Sequence, residues 1–278
     1  MRIIQPREIT DAVAKAVISA NHYLPYDMVK TAKAAASSEK NKKSKNFLYK
    51  LTENYKTSKK EIFPLCQDTG ITVIFLKIGS EIKVEGDIYK AINKGVEKGY
   101  AEGYLRKSVT DPFTRENTGT NTPCIIHTEI IKGSRIKMDI MAKGAGAENK
   151  SAVKMLIPSD GEEGIVDFVL ETVKKAGASA CPPFIVGIGV GGNLETAPLL
   201  AKKSLLREIG SASPVPAARK LEKKLLYLIN KTGIGPMGLG GNTTAFAVFV
   251  ESLPCHIASL PVAANIQCHS ARHKSITI

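Results

Sequence analysis

The chain has 278 residues, 43% apolar and 23% charged, with 39 Lys and Arg against 26 Asp and Glu and a formal net charge of +13. That length sustains a sizeable core in one large domain or two modest ones, and the composition is ordinary for a soluble globular protein. No apolar run approaches the roughly 18–20 residues of a membrane span, and MRIIQPREITDAV lacks the apolar core of a signal peptide, so a cytoplasmic protein without a membrane partner is expected. The first ~60 residues read as helical and as an N-terminal subdomain of a single unit spanning 1–278. Thr10 or Asp11 is placed to cap a helix carrying Val13, Val17 and Ile18 on one stripe. DMVKTAKAAASSEK and FLYKLTENYK read as further helices with lysine-rich outer faces. Pro64 ends this region before CQDTG. GITVIFLKIG (70–79) is a near-continuous apolar run, the pattern of a buried strand. DIYKAINKGVEKGYAEGYL (87–105) has helical spacing at Ile88, Ile92 and Val96. TPCIIHTEII (122–131) and SRIKMDIMAKG (134–144) read as two strands of a hairpin turning at Lys132-Gly133. GIVDFVLETVKKAG (164–177) reads as a helix with a glycine stop. FIVGIGVGG (184–192) is a strand running into a glycine turn. NLETAPLLAKKSLLREIG, capped by Asn193, and PAARKLEKKLLYLINKTG are helices. TTAFAVFVES (243–252) is a strand, and HIASLPVAANIQCHSARHK an extended segment with a loop. Without a βαβ repeat, this mixture predicts an α+β fold, a mixed β-sheet covered by helices.

Three origins of the positive charge stay open. One is a solvated, lysine-rich surface. Another is a field that draws in a small dianionic substrate or an acidic partner. The third is nucleic acid. Yet the basic run SSEKNKKSKNFLYKLTENYKTSKK (37–60) carries no base-reading motif and Trp is absent, so no nucleic-acid partner is expected.

Gly187, Gly189 and Gly192 come near a dinucleotide fingerprint, but no acidic residue ends a second strand ~20 residues later. A tight strand-to-helix turn accounts for them more simply, and backbone N–H groups holding a carboxylate or a cluster sulfur are a third reading. GIGPMGLGGNTT (233–244) lacks the ending of a P-loop.

The cysteines are Cys66, Cys124, Cys181, Cys255 and Cys268. An odd count argues against a disulfide framework, and the absence of CxxC against finger-type zinc. Cys66, Cys181 and Cys268 each lie where an irregular segment meets the core. Cys124 sits in an apolar strand pattern and reads as a small buried hydrophobe. Cys255 fits either role. Thiolates without nearby His spacing favour iron–sulfur over other metals. Spacing leaves open whether the three loop cysteines share a metal, and whether a fourth ligand exists.

PLCQDTG, GYLRKSVTDPFTRENTGTNTP, MAKGAGAENKS, ACPPFIVGIGVGGNLETAPLLAKKSLLR and SLPVAANIQCHSARH follow one another in this order. Together they resemble the α-subunit, or N-terminal domain, of class I iron–sulfur fumarate hydratases and the similar L-tartrate dehydratases, from about residue 5 to the end. Two departures are Ile71, where a threonine usually completes CQDTGT, and GAENKS, a variant of a GSEN-type loop; neither is expected to change the chemistry. The resemblance implies a [4Fe–4S] cluster held by Cys66, Cys181 and Cys268, its fourth iron open as a Lewis acid. It implies that Asp68 handles the hydroxyl proton, against the plainer reading of an Asx-turn residue. Gln67 would hydrogen-bond a substrate carboxylate. Arg106 would bind one bidentately, against the reading of a surface arginine at a helix end. Gly144 and Gly146 would present backbone N–H groups, supported by Lys143 and Asn149, and Gly70 would let the backbone turn. His256, His269 and His273 stay outside the catalytic set. The implied activity is interconversion of (S)-malate and fumarate, with L-tartrate dehydration as the alternative and a non-catalytic iron–sulfur redox or regulatory protein as the alternative of another class. A beta subunit would complete the site around the small dicarboxylate, and the isolated chain would form a homo-oligomer through its exposed cluster face.

Overall fold

The structure, a computed structural model, describes residues 2–61 and 63–278. In chain order, β1 (Arg2–Ile4) leads into α1 (Pro6–His22), α2 (Tyr26–Ser38) and α3 (Lys42–Glu61). Then come β2 (Ile71–Gly79), β3 (Ile82–Val84), α4 (Ile88–Glu102), β4 (Ile125–Ile131) and β5 (Ile136–Lys143). The short α5 (Ala145–Glu148) precedes β6 (Ala152–Leu156), α6 (Gly161–Ala176), β7 (Phe184–Gly191), α7 (Thr196–Ser204) and α8 (Pro216–Lys231). β8 (Ala245–Leu253), β9 (Leu260–Gln267) and β10 (Arg272–Thr277) follow. The fold is α+β with mixed sheets covered by helices, as the sequence predicts. No helix among the described residues is long and apolar enough to cross a membrane.

The chain divides into two compact units. The first comprises Met1–Pro25, Tyr55–Ala145 and Arg272–Ile278. Its main sheet has the order β10-β5-β2-β4, with β2 parallel to β4 and antiparallel to β5. The expected β4–β5 hairpin is therefore absent: β2 lies between the two strands. The apolar run of β2 is buried as the sequence predicts, and it gains more from a central position than a local turn gains from pairing its own arms. Alternation then decides the faces. Ile136, Met138 and Ile140 of β5 join Ile74 and Leu76 of β2, packing with Ile9, Val13 and Val17 of α1 and Ile92 and Val96 of α4.

α1 starts earlier than Thr10 or Asp11 would have it. Pro6 occupies the first turn, and the Glu8 carboxylate accepts the Gln5 N–H at 2.9 Å, closing the helix end. Thr10 lies inside the helix, where its hydroxyl donates to the Ala91 carbonyl of α4 at 3.0 Å. At the far end, His22 is only 3% exposed, and among the described residues neither ring nitrogen has a hydrogen-bond partner. Burial lowers its pKa from the usual 6.5. The unfolded chain therefore takes up the proton first as pH falls. The stability that neutral His22 permits is complete above about 6.5 and drains away below it, by at most ~1.4 kcal/mol per pH unit. Denaturant titrations at pH 7.5 and 5.5 are expected to show this loss, and His22→Leu to reduce it.

The second unit comprises Tyr26–Asn54 and Gly146–Ala271. Its sheet has the order β6-β9-β7-β8, with β7 parallel to β8 and antiparallel to β9. On one face Val186, Ile188, Val262 and Ile266 meet Val169 and Val173 of α6 and Leu221 and Leu225 of α8. On the other, α7 lies so close that a Cβ on Gly187 or Gly189 would fall 2.1 Å from the Ala201 carbonyl oxygen or 2.0 Å from that of Ala197. Close helix packing thus accounts for Gly187 and Gly189, while Gly191 and Gly192 take positive φ values of 86° and 66° at the strand's end. The other glycine-rich loop is turned onto a carboxylate. Buried Glu39 accepts N–H bonds from Lys40, Asn41 and Asn242 at 2.9–3.1 Å, so a phosphate there would meet a like charge.

Candidate functional site

In the first unit, the CQDTG turn is fixed from several directions. The Leu65 N–H donates to the Asn21 carbonyl at the end of α1, at 2.9 Å, and so places Cys66. Cys66 and Asp68 are half-buried, Gln67 is exposed, and Thr69 and Gly70 are buried. The Asp68 Oδ1 accepts the Gly70 N–H at 2.9 Å, so the Asx-turn reading describes real geometry. Oδ2 accepts the Ala145 N–H, also at 2.9 Å. Each carboxylate oxygen keeps a second acceptor position, so the anchoring leaves Asp68 able to engage a ligand. Gly144 makes this approach feasible: a Cβ there would lie 2.9 Å from Oδ2.

Three further groups hold the turn. The buried Tyr100 hydroxyl of α4 donates to the carbonyls of Thr69 and Gly70, at 2.8 and 3.0 Å. Burial, chiefly, raises its pKa, which keeps the phenol a donor. The Thr69 hydroxyl donates to the Arg106 carbonyl at 2.6 Å, tying the YLRKS segment to the turn. Asn121, 0% exposed with φ +61°, donates from Nδ2 to the Gly70 carbonyl at 3.2 Å. Its Oδ1 accepts N–H bonds from Ser108 and Val109, at 2.6 and 3.2 Å. The Arg106 side chain is exposed, and among the described residues it makes no ion pair. The Lys143 side chain is buried at the end of β5.

The second unit brings two of the cysteines into adjoining loops. Cys181 follows a 3-10 turn, Gly177–Ala180, with left-handed backbone angles of φ 55° and ψ 65°. Its carbonyl accepts the N–H of His269, at 3.2 Å, which joins the segments bearing Cys181 and Cys268. Both cysteines are half-buried. Gly146 is exposed, and a Cβ on it would lie 3.6 Å from the Ser179 carbonyl oxygen in the turn before Cys181. Asn149 is exposed. The His269 ring stands edge-on to Phe47, and exposed His256 accepts the Ala258 N–H at Nδ1, 3.1 Å. An apolar cavity of about 520 Å³ also lies in this unit, among Ile165, Val190, Leu221 and Leu260, and neither Cys181 nor Cys268 lines it.

All five cysteines are thiols, none in a disulfide. Burial pushes Cys124 up to about 11, and its N–H is spent on Asn93 Oδ1 at 2.9 Å, which suits the hydrophobic role. Cys255 is exposed, and its thiol faces the Ser259 carbonyl. Within either unit, no three His, Cys, Asp or Glu side chains among the described residues gather into a metal set. The donor chemistry nevertheless fits iron–sulfur ligation: Cys66, Cys181 and Cys268 are half-buried loop thiols, and two of them occupy hydrogen-bonded loops. The groups that sequence reasoning missed are the supports, namely Asn21, Tyr100 and Asn121. Of these, Asn121 lies inside the motif NTGTNTP, the signal that pointed to it.

The fumarate hydratase (Fumerase) family model matches residues 10–277. A Methanocaldococcus jannaschii protein provisionally named L(+)-tartrate dehydratase subunit alpha is 46% identical over 273 residues, 95% of this chain and 95% of its own. The L(+)-tartrate dehydratase alpha subunits of Escherichia coli K12 and Shigella boydii are each 31% identical over 275 residues, 98% of this chain and 91% of theirs. The chain belongs to the fumarate hydratase family. By that membership it is a hydro-lyase.

Proposed function

We propose that this chain is the cluster-binding alpha subunit of a hydro-lyase that interconverts (S)-malate and fumarate, and that a beta subunit completes its active site. The observation that carries the reading is Asp68: a carboxylate two residues beyond a thiol, fixed by two backbone N–H groups with acceptor positions to spare. Cys66, Cys181 and Cys268 would be the thiolate ligands of a [4Fe–4S] cluster. When bound, the cluster supplies a Lewis acid at its open iron, which eases departure of a hydroxyl. Dehydration also requires a proton to be moved at that hydroxyl, and this is the task of the Asp68 carboxylate. Gln67, exposed on the same turn, hydrogen-bonds one substrate carboxylate, and the exposed Arg106 guanidinium pairs with one. Gly144 and Gly146 present backbone N–H groups to the substrate, with Lys143 and Asn149 supporting their loop. A dianion needs more fixed positive charge than Arg106 alone, and a second chain supplies it while excluding water. The family's name supports malate and fumarate. The names of the relatives support a second reading, L-tartrate dehydration, in which the substrate carries one more hydroxyl.

Anaerobic cluster reconstitution with and without the beta subunit, followed by assay on malate, fumarate and both tartrates, tests this. Turnover of malate and fumarate by the two-chain complex is expected, and the loaded alpha chain alone is expected to be slower by about 10²-fold or more. Turnover of L-tartrate alone would select the second reading. A loaded alpha chain as fast as the complex would end the half-site idea.

A further inference from the structure

Arg272 opens β10, opposite Ala142 of β5, and is only 1% exposed. Its Nη1 donates to Asn21 Oδ1 at 3.1 Å, and among the described residues its Nε is buried without a partner and it makes no ion pair. A buried guanidinium with a single neutral partner is costly, and a nearby negative group is needed to offset it. Gly144 shows where that group is. The point where a Gly144 Cβ would stand is 3.5 Å from Arg272 Nη2 and 2.9 Å from Asp68 Oδ2, so cation and carboxylate flank the same glycine. Asn21 connects the two sides. Its side chain holds the guanidinium, and its carbonyl accepts the Leu65 N–H, one residue before Cys66. The Asn21 Nδ2 is itself fixed to the Val17 carbonyl at 3.1 Å, which prevents the amide from turning.

We propose that Arg272 is a positioning residue for Asp68: its buried positive charge, oriented by Asn21, holds the Asp68 carboxylate against Gly144 and the Ala145 N–H. The inference rests on the reading of Asp68 given above as the group that handles the substrate hydroxyl. The charge is itself buried, and it restrains Asp68 without consuming the acceptor positions that a substrate needs.

Two readouts on the two-chain, cluster-loaded protein test it. The first is backbone amide exchange at Ala145, whose N–H bonds to Asp68. In Arg272→Met this amide is expected to exchange about tenfold faster, while Ile140 and Met141 within β5 keep their rates. The second is turnover. In the same variant kcat is expected to fall roughly 10–100-fold, with KM within about threefold and iron content unchanged. Arg272→Lys, which keeps the charge, is expected to recover most of both. Should Arg272→Met fail to fold, Asn21→Asp decides: it gives the guanidinium a carboxylate partner, draws it from Asp68 and is expected to speed Ala145 exchange. Unchanged exchange at Ala145 in the variant that folds overturns the proposal, as does a lysine variant no better than the methionine one. If the unmodified complex turns over neither malate nor tartrate, the functional reading falls, and the exchange readout still decides the positioning role.

Discussion

Asp68→Asn is expected to lower kcat by roughly 10²–10⁴-fold, the range for loss of a general acid–base group, in protein that keeps its iron and binds malate. The structure says why the variant should fold. An asparagine oxygen can still accept from Gly70 or from Ala145, as Oδ1 and Oδ2 of Asp68 do, though not from both at once. The remaining N–H then faces an amide nitrogen, which costs about 1–3 kcal/mol. Activity should thus fall far more than stability. Near-normal turnover in the iron-loaded Asp68→Asn variant would leave Asp68 as a turn residue and nothing more.

Serine at position 66, 181 or 268 is expected to abolish the visible absorbance of the reconstituted protein, lower its iron content and remove nearly all turnover. Serine at position 124 is expected to preserve all three, with a stability loss of about 1 kcal/mol. The contrast comes from surroundings. Cys124 lies against the apolar core of the first unit, with a thiol held well above neutrality. The other three stand in half-buried loops. Iron analysis beside far-UV circular dichroism separates lost ligands from lost fold. Dependence of the cluster on Cys124, with Cys268 dispensable, would sink the ligand assignment.

Elements with a strong period were legible. The apolar run of β2, the helical stripes of α4, α6 and α8, and the strand β7 lie where the pattern puts them, within a few residues. Pairing was not legible, because periodicity marks a strand but does not name its neighbour; Lys132-Gly133 turns the chain without closing a hairpin. The start of α1 was misjudged because Gln5 and Glu8 make the cap in place of the commoner Ser, Thr or Asp. β10 escaped because RHKSIT carries a single large apolar residue, and its strand character comes from β5. At the site, the motif residues were nameable and their supports were not. Nothing in composition announces that Arg272 is buried, since burial of an arginine is decided by what the rest of the chain encloses.

Asn121 shows what such a support demands of a position. Its backbone adopts a left-handed conformation that glycine takes freely and asparagine tolerates better than most. Its side chain must accept from two amides and donate to a third group in the same pose. Glycine meets the first demand and fails the second. Aspartate accepts but cannot donate to the Gly70 carbonyl, and glutamine is one methylene too long for a site with no room to spare. The alphabet thus collapses to one letter at a fully buried position. Instructions for shaping the Asp68 turn are therefore written partly 51 residues downstream of its Gly70, in a residue whose identity is dictated by backbone geometry and hydrogen-bond parity together.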